Sequence, residues 1–223
     1  MTALVLDFQD AADPAILASH AILGITGTST GVGKTMVTGL LAQLMRRRQT
    51  VITQKWVQSG DTARPDIAIH DQVSGHTESP HWQPYRQVYT FPDPVSPHLA
   101  AELSNTRIDP DRLIAATNTL TTAATTVLIE TSGGIMVPLT PTVVMGDVLA
   151  TMAIPTLVVV PNQLGAINQA LLTLHYMATR GIPCLGFMMT QQEPAQSPLH
   201  TNNPRAIAHA SGARWLGVCR SVA

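Results

Sequence analysis

The fold of this chain is decided by one stretch, Gly27-Thr28-Ser29-Thr30-Gly31-Val32-Gly33-Lys34-Thr35. It follows an apolar run at 21–26 that predicts a buried strand, and it precedes residues 36–48, which predict a helix. A strand, a glycine-rich loop ending in Gly-Lys-Thr and a helix together form the setting of a phosphate-binding loop. The loop is a variant, because Thr28 stands where a glycine is usual and Gly27 comes just before it.

The polar groups of this loop are suited to binding the phosphates of a nucleoside triphosphate. Its backbone N–H groups face phosphate oxygens in such loops, and the positive N-terminal end of the following helix adds to the attraction. The Lys34 side chain is expected to reach the β- and γ-phosphates, and the Thr35 hydroxyl is expected to bind Mg²⁺. The candidate nucleotide-binding residues of the loop are Thr30, Gly31, Val32, Gly33, Lys34 and Thr35.

Length and composition favour one domain with an aliphatic core. The chain has 223 residues, of which 45% are hydrophobic and 4% aromatic. Apolar runs alternate with helical segments, which predicts a mostly parallel sheet with helices on both faces. Together with the phosphate-binding loop, this pattern is typical of a single α/β P-loop NTPase domain. We assign residues 21–223 to this domain and residues 1–20 to an N-terminal extension. In the extension, Leu4-Val5-Leu6 can add an edge strand and Asp13-Pro14 can open a short helix.

Charge and hydropathy argue against several classes of partner. A net charge of −1 gives no overall field for nucleic acid or for an anionic membrane. The most apolar long stretch, 143–160, contains a glycine, an aspartate and a proline, so two core elements explain it better than a membrane span.

Cys184 and Cys219 lack metal-ligand spacing and are expected to be small buried residues. Since the first residues also lack a signal-peptide pattern, we expect a cytoplasmic protein.

Two further predicted strands end in charged residues. Residues 51–55 predict a strand that ends at Lys55, and residues 126–130 predict an apolar strand that ends at Glu130. Ligands in open α/β sheets bind at the carboxyl ends of the strands, which would place Lys55 beside the phosphate loop. Its alternative role is that of a strand-end lysine reaching to water. Glu130, followed by small residues, resembles a Walker B acid that holds Mg²⁺.

The polar segment 61–81 offers further candidate metal ligands. One short helical piece begins at Asp66, so this residue is either a helix cap or a magnesium carboxylate. Asp61 and Asp71 compete with it for the metal role. The three histidines of the segment are spaced too irregularly for a zinc site and are expected to be solvent-exposed loop residues: His70, His76 and His81.

Later segments complete the predicted order of elements. Residues 84–98 contain four prolines and predict a stiff extended loop that leads into a helix, and a further helix is expected over 109–122. Strands are expected at 156–160, 184–189 and 213–218, with a helix near 204–210. Leu164-Gly165-Ala166-Ile167-Asn168 opens a long amphipathic helix, and the free N–H groups of such a helix start can hold an anion.

The ordered set of motifs resembles that of the ATP-dependent dethiobiotin synthetases, over about residues 21–217. The motifs that carry the resemblance are, in chain order, 27–35, Lys55 with Ser59-Gly60, Tyr89-Thr90-Phe91 with Ser96-Pro97-His98, Glu130 with Gly133-Gly134 and Pro138, and 164–168. The resemblance implies a homodimer with its site near the subunit interface. It implies that 7,8-diaminopelargonic acid, CO₂ and ATP are converted to dethiobiotin, ADP and phosphate, a step of biotin biosynthesis.

The resemblance also implies roles for the charged residues. Lys34 and Lys55 would be catalytic, since they offset the charge of the reacting anions. Mg²⁺ would be held by Thr35, Asp66 and Glu130, and ATP would be consumed as a substrate.

Substrate contacts and departures from the family pattern follow from the same resemblance. Thr30 and Ser59 would contact phosphate or substrate. Residues 164–168 of the partner subunit, Leu164, Gly165, Ala166, Ile167 and Asn168, would receive the distal carboxylate of the substrate. Thr190 stands where the family commonly has an asparagine that reads adenine, and Trp56 stands where it usually has proline.

Two other functions fit part of the pattern. A nucleotide-dependent switch of the ParA/MinD kind usually carries an extra lysine early in the loop, but residues 28–32 contain none. A paralogue that binds nucleotide but has an altered or lost diamine substrate is the second alternative.

Overall fold

Eight strands form one sheet in a computed structural model that describes residues 3–10, 13–60, 63–191 and 198–222. In chain order they are Ala3–Phe8 (β1), Ile22–Gly27 (β2), Val51–Ser59 (β3), Gln87–Phe91 (β4), Thr126–Gly134 (β5), Thr156–Pro161 (β6), Cys184–Gln191 (β7) and Trp215–Val222 (β8). The strand order across the sheet is β1-β8-β7-β6-β2-β5-β3-β4. Strand β1 runs antiparallel to β8, and all other neighbours are parallel.

Each connection between successive parallel strands contains a helix, as is usual for the long crossovers that parallel strands need. The helices are Asp13–Ala18 (α1), Lys34–Met45 (α2), Asp66–Ser74 (α3), Gln83–Arg86 (α4), Pro97–Leu103 (α5), Pro110–Leu120 (α6), Met145–Thr151 (α7), Ala166–Thr179 (α8) and Pro198–Ser211 (α9), with a 3₁₀ turn at Pro80–Trp82. Asp109 caps α6, because its side chain accepts a hydrogen bond from the Asp111 amide.

The core lies on both faces of the sheet because successive side chains of a strand point to opposite sides. In β5, Leu128 joins the cluster under α1 and α2, whereas Val127 and Ile129 join the larger cluster under α5 to α9. In β6, Leu157 and Val159 pack in the cluster under α1 and α2, whereas their neighbours Val158 and Val160 pack in the larger cluster. Strands that are apolar on both faces are typical of parallel sheets covered by helices on each side.

This architecture confirms the predicted α/β fold with a mostly parallel sheet. The expected edge strand at Leu4–Leu6 is β1, and the expected short helix at Asp13 is α1. The stiff loop predicted over 84–98 is wrong in part, because residues 87–91 form β4 beside β3. Cys219 is buried as expected, but Cys184 is exposed because it begins β7 at the end of the sheet.

Candidate active site

A cavity of about 510 Å³ opens at the carboxyl ends of β2, β3 and β5. This is the edge where ligands bind in parallel α/β sheets. Its lining combines the phosphate loop, two strand ends, the start of α3 and the proline-rich loop before α5. The lining residues are Thr30, Gly31, Gly33, Lys34, Thr35, Lys55, Val57, Gln58, Ser59, Asp66, Pro94, Val95, Ser96, Pro97, Glu130, Ser132, Gly133 and Val137.

The loop between β2 and α2 has the backbone geometry of an anion-binding loop. Gly31 and Gly33 have φ values of 74° and 93°, a conformation that strongly favours glycine. The Lys34 ammonium curls back over the loop and donates to the Ser29 carbonyl oxygen at 2.9 Å. The Val32 side chain is buried, so this residue can offer a ligand only its backbone. The predicted strand, loop and helix are therefore all present.

Three side chains that could bind a metal ion through oxygen come together near Lys34. The Thr35 Oγ1 atom, at the start of α2, lies 3.1 Å from Glu130 Oε1 and 3.3 Å from Asp66 Oδ1. One hydroxyl and two carboxylates are the hard oxygen ligands that Mg²⁺ prefers, with phosphate and water oxygens completing its shell. The side chains present therefore fit the predicted Mg²⁺ site, although among the described residues no group of three or more His, Cys, Asp or Glu could hold a metal by itself.

The Lys55 ammonium lies between the same two carboxylates. Its Nζ atom is 2.7 Å from Glu130 Oε1 and 2.6 Å from Asp66 Oδ2, and it is almost completely buried. The contact with Glu130 follows from the sheet, because Lys55 and Glu130 are register partners on the neighbouring parallel strands β3 and β5. The alternative in which Lys55 reaches to water is wrong, since its ammonium points into the cavity.

The charges of this cluster shift one another's pKa values. Burial and the nearby Lys55 charge lower the pKa of Lys34 to about 8. Burial alone would lower the pKa of Lys55, but Glu130 and Asp66 outweigh it and hold that pKa above its ordinary value. Burial alone would raise the pKa of Glu130, but Lys55 and His70 hold it well below the usual range. Glu130 is therefore ionised, as a metal carboxylate must be.

The structure distinguishes the competing aspartates. Pro65 is the residue before α3, and the Asp66 side chain turns to Thr35 and Lys55 instead of capping the helix. Asp71 is wrong as a metal ligand, because the buried Arg86 guanidinium binds both of its carboxylate oxygens. Asp61 lies outside the described residues.

The solvent-exposed histidines predicted for 61–81 are correct in two cases of three. His76 and His81 are exposed, but His70 is fully buried on α3. Its Nε2 atom lies 2.6 Å from Glu130 Oε2. The sequence does contain a pattern that indicates burial of His70. Ile67, His70 and Ser74 are spaced by three and four residues, which places them on one helix face.

Other site residues were also missed. Gln58, near the end of β3, accepts a hydrogen bond from the Asp66 amide at 3.1 Å and so fixes the start of α3. The prolines of the loop before α5 predicted that it is stiff, and Pro94, Ser96 and Pro97 do line the cavity.

Trp56 does not line the cavity. Its indole is buried on the opposite side of the sheet and donates to Thr117 Oγ1 of α6, so this departure from the family pattern leaves the cavity unchanged.

Thr190, near the end of β7, touches the phosphate loop itself. Its hydroxyl donates to the Val32 carbonyl oxygen at 2.7 Å. A Cβ atom on Gly33 would come within 3.0 Å of the Thr190 methyl group, which is a second reason for glycine there.

Residues 164–168 do not line this cavity within one chain. They span the turn before α8 and its first three residues, with Gly165 in the left-handed conformation and Leu164 87% exposed. Beside them, a second cavity of about 470 Å³ joins the phosphate loop at Ser29 and Thr30 to the exposed Met136 and to Leu172 of α8.

Comparisons with known proteins place the chain in one family. A family profile described as an AAA domain matches residues 22–221. The chain is 35% identical over 192 residues to the ATP-dependent dethiobiotin synthetase of Chlorobaculum tepidum, covering 85% of this chain and 80% of that protein. It is 34% identical to the one from Paramagnetospirillum magneticum, covering 86% and 84%.

Solved structures show the same fold at low identity. The MinC:MinD cell division complex of Aquifex aeolicus matches with a TM-score of 0.55 and 12% identity, over 89% of this chain and 81% of that one. A ParA family ATPase of Chlorobium tepidum matches with a TM-score of 0.55 and 13% identity, over 90% and 83%. These likenesses concern the fold alone. In the part of the chain that the structure describes, no helix has the length and apolarity of a membrane span.

Because the sequence identity to these synthetases extends over most of both chains, the chain belongs to the family of ATP-dependent dethiobiotin synthetases.

Proposed function

We propose that this protein converts 7,8-diaminopelargonic acid, CO₂ and ATP to dethiobiotin, ADP and phosphate, with Mg²⁺, as a homodimer in the cytoplasm. The supporting observation is that the side chains of Lys34, Thr35, Lys55, Asp66 and Glu130 line a single cavity in a chain of this family. ATP is a substrate of the reaction.

The chemistry proceeds in three steps. One amine of the substrate adds to CO₂ and loses a proton, which gives a carbamate. A carbamate oxygen attacks the γ-phosphorus of ATP, the bond to the β-phosphate breaks, and ADP leaves. The second amine then attacks the carbonyl carbon of this mixed anhydride, and the ureido ring closes as phosphate leaves and the amine loses a proton.

Electrostatics is the main task of the protein in the second step, because a carbamate and a γ-phosphate are both anions. Lys34, at the loop, is placed to bind the phosphates. Lys55 lies deeper, beside Glu130, where it can pair with the carbamate or with the transferred phosphoryl group. Mg²⁺, when held by Thr35, Asp66 and Glu130, supplies further positive charge to the triphosphate. Thr30 and Ser59 line the same cavity and can donate hydrogen bonds to the substrates.

The distal carboxylate of the substrate requires a second binding group, which we assign to residues 164–168 of a partner copy. The start of α8 offers free N–H groups to an anion. Leu164, Leu172 and Met136 are exposed apolar side chains near this helix start and the phosphate loop, and such a patch suits a subunit interface.

Leu172→Glu is therefore expected to separate the dimer. A carboxylate in an apolar interface should weaken self-association by at least about 2 kcal/mol, roughly thirtyfold. Light scattering across a dilution series measures this, and dethiobiotin formation should fall with dimer content. Leu103→Glu is the matched control, because Leu103 is 59% exposed on α5, compared with 63% for Leu172. An unchanged dimer in Leu172→Glu would contradict the assignment of this interface.

Base selection is expected to be weak. The Thr190 hydroxyl donates its hydrogen to the Val32 carbonyl oxygen, so it can offer a base only an acceptor, whereas an asparagine amide offers both a donor and an acceptor. We expect ATP to be preferred over GTP or CTP by no more than about tenfold, or 1.4 kcal/mol. Dethiobiotin formation with the three nucleotides in competition measures the ratio. A preference above a hundredfold would show that another group reads adenine.

Product analysis tests the proposed function directly. The protein is incubated with 7,8-diaminopelargonic acid, bicarbonate, Mg²⁺ and ATP, and dethiobiotin is detected by mass spectrometry alongside ADP. Dethiobiotin that requires both ATP and the diamine is the expected result. ADP without dethiobiotin would instead favour a paralogue with a different substrate.

A further inference from the structure

We propose that His70 is a positioning residue that sets the orientation of the Glu130 carboxylate for the metal. The inference rests on the proposed function, because it concerns the Mg²⁺ site assigned there. It starts from the two oxygens of Glu130, which have different partners. Oε1 faces Thr35 and Lys55 in the cavity, whereas Oε2 lies 2.6 Å from His70 Nε2 behind it.

This contact is buried on both sides. His70 is fully buried and Glu130 is 1% exposed, so water cannot replace either partner. A carboxylate with one oxygen unpaired in such a place would rotate or take another partner. The Nε2–H of His70 donates to Oε2 and thereby leaves Oε1 as the oxygen presented to Thr35 and the metal.

The remaining nitrogen of the ring supports this role. Within the described parts of the chain, His70 Nδ1 has no hydrogen-bond partner although it is buried. A buried polar atom without a partner is unfavourable for folding, and an apolar side chain of similar size would avoid it. Packing therefore does not explain a histidine here, and among the described residues the one polar contact of its side chain is with Glu130. Ligands of metals are commonly oriented by such a second hydrogen bond.

The test compares His70→Leu, which removes the donor, with His70→Gln, which can present an amide N–H near the position of Nε2. The probe is Mn²⁺ titrated into each protein with ADP present, and free Mn²⁺ is followed by electron paramagnetic resonance. We expect His70→Leu to weaken Mn²⁺ binding by about tenfold or more. We expect His70→Gln to restore it to within about threefold of the starting protein.

Two further variants keep the outcomes separate. Val73→Ala alters packing on the same helix without touching a metal ligand, and its Mn²⁺ affinity should stay unchanged. Glu130→Gln removes the ligand charge and should lose Mn²⁺. Unfolding curves are recorded to establish that each variant is folded.

Each contrary result has one meaning. If Glu130→Gln loses Mn²⁺ but folded His70→Leu does not, the role of His70 is overturned and the proposed function stands. If His70→Gln is as weak as His70→Leu, the N–H donor is not what matters, and the role is again overturned. If Glu130→Gln itself binds Mn²⁺ normally, the metal site of the proposed function falls, together with this inference.

Discussion

Replacing Lys55 by alanine is expected to abolish dethiobiotin formation while nucleotide binding remains. Turnover should fall by about a hundredfold to a thousandfold, the range for the loss of one group that stabilises transition-state charge. Nucleotide affinity should change by less than about tenfold, or 1.4 kcal/mol, because Lys55 contacts Glu130 and Asp66 and not the phosphate loop. Product formation and titration with a fluorescent ATP analogue measure the two quantities.

Loss of fold must be separated from loss of chemistry in this experiment. Removing one partner of a buried ion pair costs about 3–5 kcal/mol, and here the lower end is expected because Asp66 keeps some contact with water. Lys55→Met retains the aliphatic stem and should be equally inactive. Thermal unfolding with and without ADP shows whether each variant still binds and folds. A folded variant that keeps more than a tenth of the activity would refute the role given to Lys55.

Much of the catalytic cluster could be predicted because it depends on local pattern and on one rule of sheet topology. The phosphate loop has its own signature, and Lys55 and Glu130 end apolar runs that predict strands. Parallel strands bring their carboxyl-terminal parts to one edge, so these residues are expected to meet there. The predicted strand ends are wrong, because β3 continues to Ser59 and β5 to Gly134. The structure adds that Lys55 and Glu130 are register partners, which strand patterns alone do not specify.

Choices among similar side chains could not be made from the sequence. Asp66 and Asp71 lie five residues apart on α3, yet one faces Thr35 and the other binds Arg86. Arg86 directly precedes β4. The sequence does not predict this strand, because prolines on either side of it favour a loop. The prediction of a solvent-exposed loop histidine is wrong for His70, because helix periodicity places it on the buried face of α3 with Ile67.

The other large effect is expected for Lys34→Ala, which should weaken nucleotide binding itself. The Lys34 ammonium is buried, and it donates a hydrogen bond to one neutral carbonyl oxygen, that of Ser29. Phosphate oxygens would compensate its charge far better, so Lys34 should contribute favourable free energy when ATP binds. We expect the affinity for ATP to fall by at least about a hundredfold, or 2.7 kcal/mol. Because little is lost from the fold, stability should stay nearly unchanged.

The pKa of Lys34 gives this prediction a second readout. Its value of about 8 means that the free protein holds Lys34 protonated below pH 8 and increasingly neutral above it. Bound phosphate favours the charged form, so nucleotide binding above pH 8 takes up a proton and the affinity falls as the pH rises. Lys34→Ala should lack this fall, whereas Lys55→Ala should keep it but at higher pH, because the Lys55 charge contributes to the lowered pKa of Lys34. Calorimetric titrations between pH 7 and 9.5 measure it, and a pH-independent affinity in the unaltered protein would contradict the assignment of Lys34 to the phosphates.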